Sequence, residues 1–335
     1  MNKYNEAIEI INGAKKVLIG SHVRPDGDSV GSMVALKMAI SQNCDPEQVD
    51  ILMLSEPGDS YRFLVNDYLL WDRDIDGPAQ LDDYDLVIIV DTSAIRQLPG
   101  IGDYLLERTR AGKLPVIVID HHLSGDEIGN CRIIDSDCAA AGQLVYQLID
   151  AADWDIDEMA ANALFVAIAT DTGWFRFSNT AAQTLFIAGD LIACGAEPDI
   201  LYQQLYLSNP PERMALLAAV LATLEFHAAG RIASMYITNE MLKDCGAARS
   251  LIENIVNEPM QIGTVIGCGL FVRQENGDIR GSLRSKDIID VNVIANKFDG
   301  GGHARAAGLT ISGSDIIAAR DAVVAEMELA LPAAG

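Results

Sequence analysis

Two short apolar runs, each ending in an aspartate, constrain the fold of this chain most strongly. LVIIV directly precedes Asp91, and VIVI directly precedes Asp120. Uninterrupted apolar runs of this length are typical of parallel strands buried on both faces of a sheet. Their alternation with helical segments predicts an α/β fold in which helices cover both faces of a parallel sheet. The other predicted elements are strands at residues 16–20, 49–54, 232–237 and 264–272, and helices at residues 30–40, 158–169 and 214–226.

The length of the chain and a group of prolines predict two domains. At 335 residues the chain exceeds the usual size of one domain. Pro198, Pro210 and Pro211 interrupt the α/β pattern, as expected for a connector that carries a helical piece. The predicted organisation is a parallel-sheet catalytic domain at residues 1–192, a helical linker at 193–213, and a smaller α/β substrate-binding domain at 214–335.

The charge of the chain argues against one class of partner. Lys and Arg number 24 against 48 Asp and Glu, which gives a formal net charge of −24. Non-specific affinity for long duplex nucleic acid depends on Lys and Arg that neutralise phosphates, so such a partner is not expected. A small anionic substrate held at one local site is compatible with this balance. The acidic stretch at residues 72–85 is expected to form a solvated loop.

Cysteine usage and hydropathy predict the compartment. The six cysteines include no Cys-x-x-Cys pair, which is typical of reduced thiols and not of a disulfide framework or a zinc knuckle. No stretch approaches the roughly 18–20 consecutive apolar residues that a membrane span needs. We therefore expect a cytoplasmic protein with no membrane partner.

Acidic and imidazole side chains follow the predicted strands where each strand ends. Parallel α/β sheets bind their ligands beyond these carboxyl ends. Asp28 and Ser29 have a structural alternative, the N-cap of the helix that follows. Aspartates that close two buried strands, one of them followed by paired histidines, are much less common as caps. The candidate residues are His22, Asp26, Asp28, Asp91, Asp120, His121, His122 and Asp171.

Six of these side chains match the ligand preferences of a divalent metal centre. Carboxylates and imidazoles bind ions such as Mn²⁺, and no thiolate accompanies them to select zinc or copper. The set suits two ions about 3.5–4 Å apart that share a carboxylate. Four aspartates and two divalent ions nearly cancel in charge, so a bound phosphate dianion needs further cationic groups. The six residues are His22, Asp26, Asp28, Asp91, His121 and Asp171.

Such groups are present in the predicted second domain. The guanidinium of Arg284, which Ser285 follows, is suited to a bidentate contact with phosphate. A glycine-rich loop at residues 300–302 offers exposed backbone amides ahead of the His303 imidazole. The alternatives are an ordinary surface arginine and a plain turn between a helix and a strand.

Five motifs in order resemble the DHH phosphoesterase superfamily. HVRPDGDS, the aspartate of VDTS, IDHH and TDTGWFRFSNT are similar to its four motifs. GSLRS followed by DVNVIANKFDGGGHARAAG is similar to its GGGH-type C-terminal domain. The resemblance covers roughly residues 15–312, and it is closest to the bacterial nanoRNase and pAp phosphatase group. The related manganese inorganic pyrophosphatases carry a different C-terminal domain, which counts against that branch.

The resemblance implies which side chains hold two Mn²⁺ ions in one active site. Asp91 would bridge the ions. The ligands of one ion would be His22, Asp26 and Asp91, and those of the other would be Asp28, Asp91, His121 and Asp171.

The resemblance also implies roles for the remaining candidates. Asp120 would support the metal ligands from behind, and His122 would face the substrate phosphate or the nucleophilic water. Asp299 stands where many relatives have another glycine. The residues implied in substrate binding are Arg284, Ser285, Gly300, Gly301, Gly302 and His303.

The reaction implied is Mn²⁺-dependent hydrolysis of phosphoester bonds by a hydroxide between the two ions. The expected substrates are short oligoribonucleotides, linear dinucleotides and the nucleoside bisphosphate pAp, and a homodimer is expected because relatives are often dimers. A cyclic dinucleotide phosphodiesterase is one alternative. A RecJ-like single-strand exonuclease would require further nucleic-acid-binding domains and a basic channel. A non-catalytic nucleotide receptor would be expected to have lost metal ligands, and all six are present.

Overall fold

The protein consists of two compact units. The computed structural model describes residues 4–75, 77–286 and 288–332, and the units are Met1–Ser208 and Asn209–Gly335. The division falls inside the connector predicted at residues 193–213. The helical piece of that connector, Pro198–Tyr206, belongs to the first unit because Leu201 and Leu205 are buried in its core.

A six-stranded parallel sheet forms the first unit, as the apolar runs predict. The strands are β1 (Lys16–Gly20), β2 (Gln48–Met53), β3 (Leu69–Leu70), β4 (Leu86–Val90), β5 (Val116–Asp120) and β6 (Cys131–Ile134). Their order across the sheet is β3-β2-β1-β4-β5-β6. Strands β2 and β3 extend the sheet from one edge of β1, and strands β4, β5 and β6 extend it from the other edge. The carboxyl ends of β1 and β4 therefore lie side by side at the reversal, where open α/β sheets bind ligands.

Helices cover both faces of this sheet because successive side chains of a strand point to opposite faces. Val17 and Ile19 of β1 belong to one hydrophobic cluster and Leu18 to another. The closest helix pair is α2 with α5, where a Cβ on Gly31 would lie 2.3 Å from the carbonyl oxygen of Ala163. The helices are α1 (Asn5–Gly13), α2 (Gly27–Asn43), α3 (Gly102–Ala111), α4 (Ala141–Ala151), α5 (Glu158–Asp171), α6 (Ala182–Ala193) and α7 (Pro198–Tyr206).

The acidic stretch at residues 72–85 is only in part the solvated loop that the sequence predicts. Its described carboxylates are exposed, but Ile75, Leu81 and Tyr84 are buried in the second cluster of the first unit. Residues 78–83 form a 3₁₀-helix. Apolar side chains set between the aspartates therefore anchor this segment to the sheet, because each of them removes apolar surface from water.

A mixed six-stranded sheet forms the second unit. Its order is β11-β12-β10-β9-β8-β7, and β8 pairs with β9 in parallel while the other pairs are antiparallel. The elements are α8 (Pro211–Leu221), β7 (Glu225–His227), β8 (Ile232–Ile237), α9 (Asn239–Asp244), β9 (Gly267–Arg273), β10 (Ile279–Ser285), α10 (Val291–Asn296), β11 (Gly301–His303), β12 (Ala306–Ile311) and α11 (Ile316–Leu329).

Two elements of this unit differ from their predictions. The helix predicted at residues 214–226 begins at Pro211 and ends at Leu221, and Phe226 lies in β7. The prediction of a glycine-rich loop is wrong for Gly301 and Gly302, which form part of the edge strand β11 paired with β12. Strand β11 forms because it pairs with β12, which follows it in the chain. The local composition of β11 does not indicate this pairing. None of the helices in the described ranges has the length and hydropathy of a membrane-crossing segment.

Candidate metal centre

Asp91 lies at the middle of the candidate site, directly after β4. Its φ is 60°, a left-handed conformation that is uncommon for a residue with a side chain. The backbone N–H of Asp91 donates to the carbonyl of Ile119 at 2.9 Å, which continues the pairing of β4 with β5. Such a conformation costs about 1–3 kcal/mol and persists where surrounding structure imposes it, often at functional sites.

Both carboxylate oxygens of Asp91 contact side chains from other elements. Oδ2 lies 3.3 Å from Nε2 of His22 and accepts a hydrogen bond from the Ser29 hydroxyl at 2.6 Å. Oδ1 lies 3.5 Å from Nε2 of His121. The Asp91 side chain is only 3% exposed. One buried carboxylate therefore joins the segments that follow β1 and β5.

Three overlapping groups of side chains in the described ranges could hold a metal ion, with ligand atoms all within 4.8 Å of one another in each group. One group is the ligand set predicted for one ion, and another contains the ligands predicted for the second ion except Asp91. Asp91 belongs to two of the three groups. The structure thus brings together all six predicted ligands. The groups are His22, Asp26 and Asp91; Asp28, His121 and Asp171; and Asp91, His121 and His122.

Helix α4 holds Asp28 by its first backbone amides. The N–H groups of Ala141 and Gly142 donate to the two oxygens of Asp28 at 2.6 and 2.8 Å, and the Ser32 hydroxyl donates at 3.1 Å. The amino-terminal end of a helix is a favourable place for a negative charge. A Cβ on Gly142 would lie 2.5 Å from the Cβ of Ala167, so glycine permits this approach. Sequence reasoning missed this contact, which joins residues 113 positions apart.

Asp26, not Asp28, caps helix α2. The side chain of Asp26 accepts from the backbone N–H groups of Asp28 and Ser29, both at 3.1 Å. The helix begins at Gly27, three residues before the predicted start. The N-cap alternative for Asp28 and Ser29 is therefore wrong, and both side chains are free to face the site. The loop geometry of Pro25 and Gly27 shifts the start, because a cap forms wherever a side-chain oxygen reaches the first amides.

The histidines of the site carry raised pKa values. Burial lowers the pKa of His22, but its hydrogen bond to Asp91 and the nearby carboxylates outweigh that effect and raise it to about 9. For His121, burial also lowers the pKa, while Asp91, Asp28 and Asp171 together raise it to about 10. Both imidazoles are thus protonated at neutral pH in the metal-free protein, where they balance carboxylates.

Two carboxylates of the site, those of Asp28 and Asp171, also have raised pKa values. Burial, then the charges of Asp91 and Asp171, raise the pKa of Asp28 well above its usual value. Burial is also the largest cause for Asp171, whose pKa rises to about 6. Several carboxylates brought close together in a buried site disfavour full ionisation unless cations are present. The donor set, oxygen and imidazole nitrogen without thiolate, fits divalent ions such as Mn²⁺.

Asp120 stands behind His122. Its Oδ1 accepts from the backbone N–H of His122 at 3.1 Å and lies 2.8 Å from the ring Nδ1. The Ser93 hydroxyl donates to its Oδ2 at 2.6 Å. Burial raises the pKa of Asp120, but the bonds to His122 and Ser93 lower it by more, so the carboxylate is held ionised. This arrangement fixes the orientation of a partly exposed imidazole beside the metal ligands.

Two serines of the site were quoted in the motifs without a role. The Ser29 hydroxyl contacts both Asp91 and His22, and the Ser93 hydroxyl contacts Asp120. A hydroxyl beside a predicted ligand in the sequence is a weak signal, because serine is common at caps and turns. Their contacts depend on which strands are neighbours.

Arg284 and His303 lie in one row of the second sheet. Arg284 on β10 is paired with Ala306 on β12, which is paired with His303 on β11. Residues paired in this way share a face of the sheet. Burial lowers the pKa of Arg284, and among the described residues no carboxylate lies within ion-pair distance of its guanidinium. Arg284 is therefore a half-buried cation without an acidic partner in this part of the chain.

The other predicted substrate-binding residues have structural contacts of their own. The hydroxyl of Ser285 is buried and lies 2.7 Å from the carbonyl of Ile289, to which it donates. A Cβ on Gly300 would lie 2.3 Å from the carbonyl oxygen of Gly308, and one on Gly302 would lie 2.5 Å from that of Ala306. Glycine is needed at these two positions for the approach of β12. Gly301 is exposed, and a Cβ there would make only ordinary contacts, the nearest with Oδ1 of Asn296 at 3.9 Å.

Comparison with known proteins identifies the family. Residues 16–170 match the DHH family, N-terminal domain, and residues 233–329 match the DHHA1 domain. The probable bifunctional oligoribonuclease and PAP phosphatase NrnA of Streptococcus mutans is 30% identical over 309 residues, which are 92% of this chain and 93% of that protein. The chain belongs to the DHH family. It is accordingly a hydrolase of the phosphoesterase class.

Two further DHH relatives extend over nearly the whole chain. The bifunctional oligoribonuclease and PAP phosphatase NrnA of Thermus thermophilus is 28% identical and covers 98% of this chain and 94% of its own length. The crystal structure of an exopolyphosphatase-related protein from Bacteroides fragilis superposes with a TM-score of 0.87 at 25% identity, covering 98% of this chain and 95% of that one. The resemblance stated from the motifs is thus confirmed for the family and for the two-domain α/β architecture.

Proposed function

We propose that this DHH protein hydrolyses phosphoester bonds in short oligoribonucleotides and linear dinucleotides, and removes the 3′-phosphate of pAp, with two Mn²⁺ ions per active site. The observation that carries the proposal is a chain of three overlapping metal-capable groups, in which Asp91 is common to two groups and His121 is common to two. The names of the Streptococcus mutans and Thermus thermophilus relatives support the choice of substrates.

The chain's own side chains have distinct parts in this proposal. His22, Asp26 and Asp91 would hold one ion, and Asp28, Asp91, His121 and Asp171 the other. Bound divalent cations supply Lewis acidity that lowers the pKa of water and neutralises phosphate charge. His122, held by Asp120 at 2.8 Å, presents its Nε2 to the substrate phosphate or to the attacking water. Fixing that ring in advance lowers the cost of orienting it during the reaction.

The second unit would supply the cations that bind substrate phosphates. Arg284 and His303 share a face of the sheet, and Arg284 has no acidic partner in the described ranges. A guanidinium withdrawn from water without a carboxylate is well suited to a phosphate. Gly301, which is exposed, would let a substrate approach the backbone beside His303. Ser285 would contribute by fixing the end of β10, since its hydroxyl is committed to backbone carbonyls.

A panel of substrates with Mn²⁺ tests the proposal. It compares pApA, 5′-phosphorylated di- to pentaribonucleotides, pAp, cyclic dinucleotides and pyrophosphate. We expect turnover of the short linear substrates and of pAp, its loss with EDTA, and its recovery with Mn²⁺. Activity that survives chelation would contradict the metal assignment, and preference for a cyclic dinucleotide would favour a cyclic dinucleotide phosphodiesterase instead.

Substitution of Asp91 separates chemistry from folding. Asp91→Asn keeps an oxygen for the Ser29 hydroxyl but removes the charge of the proposed bridging ligand, so we expect turnover to be largely lost. Asp67→Ala removes an aspartate whose side chain is 93% exposed and serves as the matched control. Circular dichroism and thermal melting check that both variants fold. Unchanged turnover in folded Asp91→Asn would refute the role of Asp91 in metal binding.

A further inference from the structure

The segment after Asp171 forms an unusual turn. Gly173, Trp174 and Phe175 follow one another with φ of 54°, 57° and 62°. Left-handed backbone is rare for bulky residues, and two such residues in succession cost about 1–3 kcal/mol each. Only a glycine in place of Trp174 or Phe175 would adopt this backbone conformation without that cost. The chain therefore maintains a strained conformation immediately beside a candidate metal ligand.

Packing on the inner side of the turn holds it in place. The rings of Trp174 and Phe175 lie 5.9 and 5.7 Å from that of Phe165, and Trp174 also packs edge-on against Tyr202 at 4.9 Å. Such aromatic pairs contribute about 0.5–1.5 kcal/mol each beyond their buried area. These contacts offset the backbone strain and fix the direction in which the next residues leave the turn.

Hydrogen bonds tie the outer side of the turn to Asp171. The carbonyl of Thr172 accepts from the N–H groups of Arg176 and Phe177, both at 3.0 Å. The side-chain amide of Asn179 donates to the carbonyl of Asp171 at 3.2 Å. The position of Phe177 relative to Asp171 is thus set by backbone contacts within one short segment.

Phe177 itself points outward, with 55% of the residue exposed. A Cβ on Gly173 would lie 2.4 Å from Cζ of Phe177, so the ring rests on the bare backbone of the turn. Beside it, Arg176 donates from Nε to the carbonyl of Gly173 at 2.6 Å. Among the described residues no carboxylate lies within ion-pair distance of the Arg176 guanidinium. An exposed aromatic ring and a cation without an acidic partner in the described ranges therefore stand together in the short segment that follows Asp171.

We propose that Phe177 is a specificity-determining residue that stacks on a nucleobase of the substrate, with Arg176 binding a phosphate of the same nucleotide. The inference rests on the proposed function, since it assumes a nucleotide at the metal centre. An aromatic face accepts any base, at about 1–3 kcal/mol per stacked base. Phe177 would therefore select nucleotides over other phosphate esters while tolerating different base sequences.

The test compares two substrates that differ only in the base. One is pAp, and the other is the 3′,5′-bisphosphate of an abasic ribose analogue. We expect Phe177→Ala to raise KM for pAp about 5- to 100-fold with kcat little changed, which corresponds to the loss of one stacked base. KM for the abasic substrate should stay within about twofold. Phe177→Tyr should restore the wild-type KM, and Phe177→Leu should restore it only in part, because leucine has no aromatic face.

A matched control is Phe186→Ala, which removes an even more exposed phenylalanine from helix α6, away from the turn. It should leave both KM values unchanged. Equal changes on the two substrates, or no change on either, would overturn the stacking role while leaving the proposed function standing. Failure of the wild-type protein to hydrolyse pAp and short oligonucleotides with Mn²⁺ would overturn both proposals.

Discussion

At the scale of the residue, Asp91 shows how one side chain organises the site. It is buried, its backbone is left-handed, and its two oxygens face His22 and His121 on different elements. In the metal-free protein these imidazoles act as the counter-charges of the carboxylates. A metal ion binds only neutral imidazole, so metals and protons compete for the same nitrogens.

Proton release on Mn²⁺ binding follows from these pKa values. With pKa near 9 for His22 and near 10 for His121, both rings are protonated at pH 7.5 and must lose their protons to bind metal. We expect release of at least about two protons at that pH, because Asp28, whose pKa burial raises well above its usual value, must also be ionised to bind metal. We expect Mn²⁺ affinity to rise with pH until the solution passes these pKa values. Isothermal titration calorimetry in buffers of different ionisation heat measures the release.

The histidine variants supply the control for this measurement. His22→Asn should release about one proton fewer than the wild type. His227→Asn changes a histidine of the second unit, bonded to Ser234, and should leave the release unchanged. Proton release that is near zero at pH 7.5 in the wild type would contradict the protonated state inferred for the two rings.

At the scale of the element, functional groups are positioned where the backbones of neighbouring helices or strands approach each other closely. Helix α4 brings its first amides to Asp28 because Gly142 has no Cβ. Strand β11 approaches β12 because Gly300 and Gly302 have none. The three consecutive glycines therefore do not have one shared role: packing requires Gly300 and Gly302, whereas Gly301 is exposed and tolerates a Cβ.

Alanine substitutions at Gly300 and Gly301 distinguish a glycine required by packing from one that is not. Gly300→Ala would place a Cβ 2.3 Å from the carbonyl oxygen of Gly308, so we expect a loss of about 1–3 kcal/mol in the free energy of unfolding. Gly301→Ala meets no close atom and should melt as the wild type does, while raising KM for pAp if the backbone there approaches substrate. Thermal denaturation and steady-state kinetics measure the two effects, and equal stability of the two variants would contradict the packing role of Gly300.

At the scale of the whole molecule, the proposed chemistry draws on residues of both units. The first unit gathers carboxylates and histidines at the reversal of a parallel sheet. The second presents Arg284 and His303 in one row of a mixed sheet. In a chain with a net charge of −24, such local cations are needed to hold an anionic substrate against general repulsion.

Arg284→Ala tests the contribution of the second unit. We expect KM for pAp and pApA to rise about 10- to 100-fold, since a charged hydrogen bond contributes about 1.5–3 kcal/mol. Hydrolysis of a generic aryl phosphodiester should change much less. Arg280→Ala alters an arginine on the same face of β10 four residues away and is the matched control. Equal losses on both substrates would count against Arg284 as a distal phosphate contact.

The sequence by itself determined the strand cores, the ligand types and the family, because apolar runs and motifs are local. The runs before Asp91 and Asp120 predicted buried strands, and their carboxylates with His22 and His121 indicated metal chemistry. Only the tertiary structure decided which strands are neighbours, that α4 holds Asp28 across 113 residues, and that Gly301 lies on an edge strand. Local patterns report which side chains are buried, whereas contacts between distant segments depend on the packing of the whole fold.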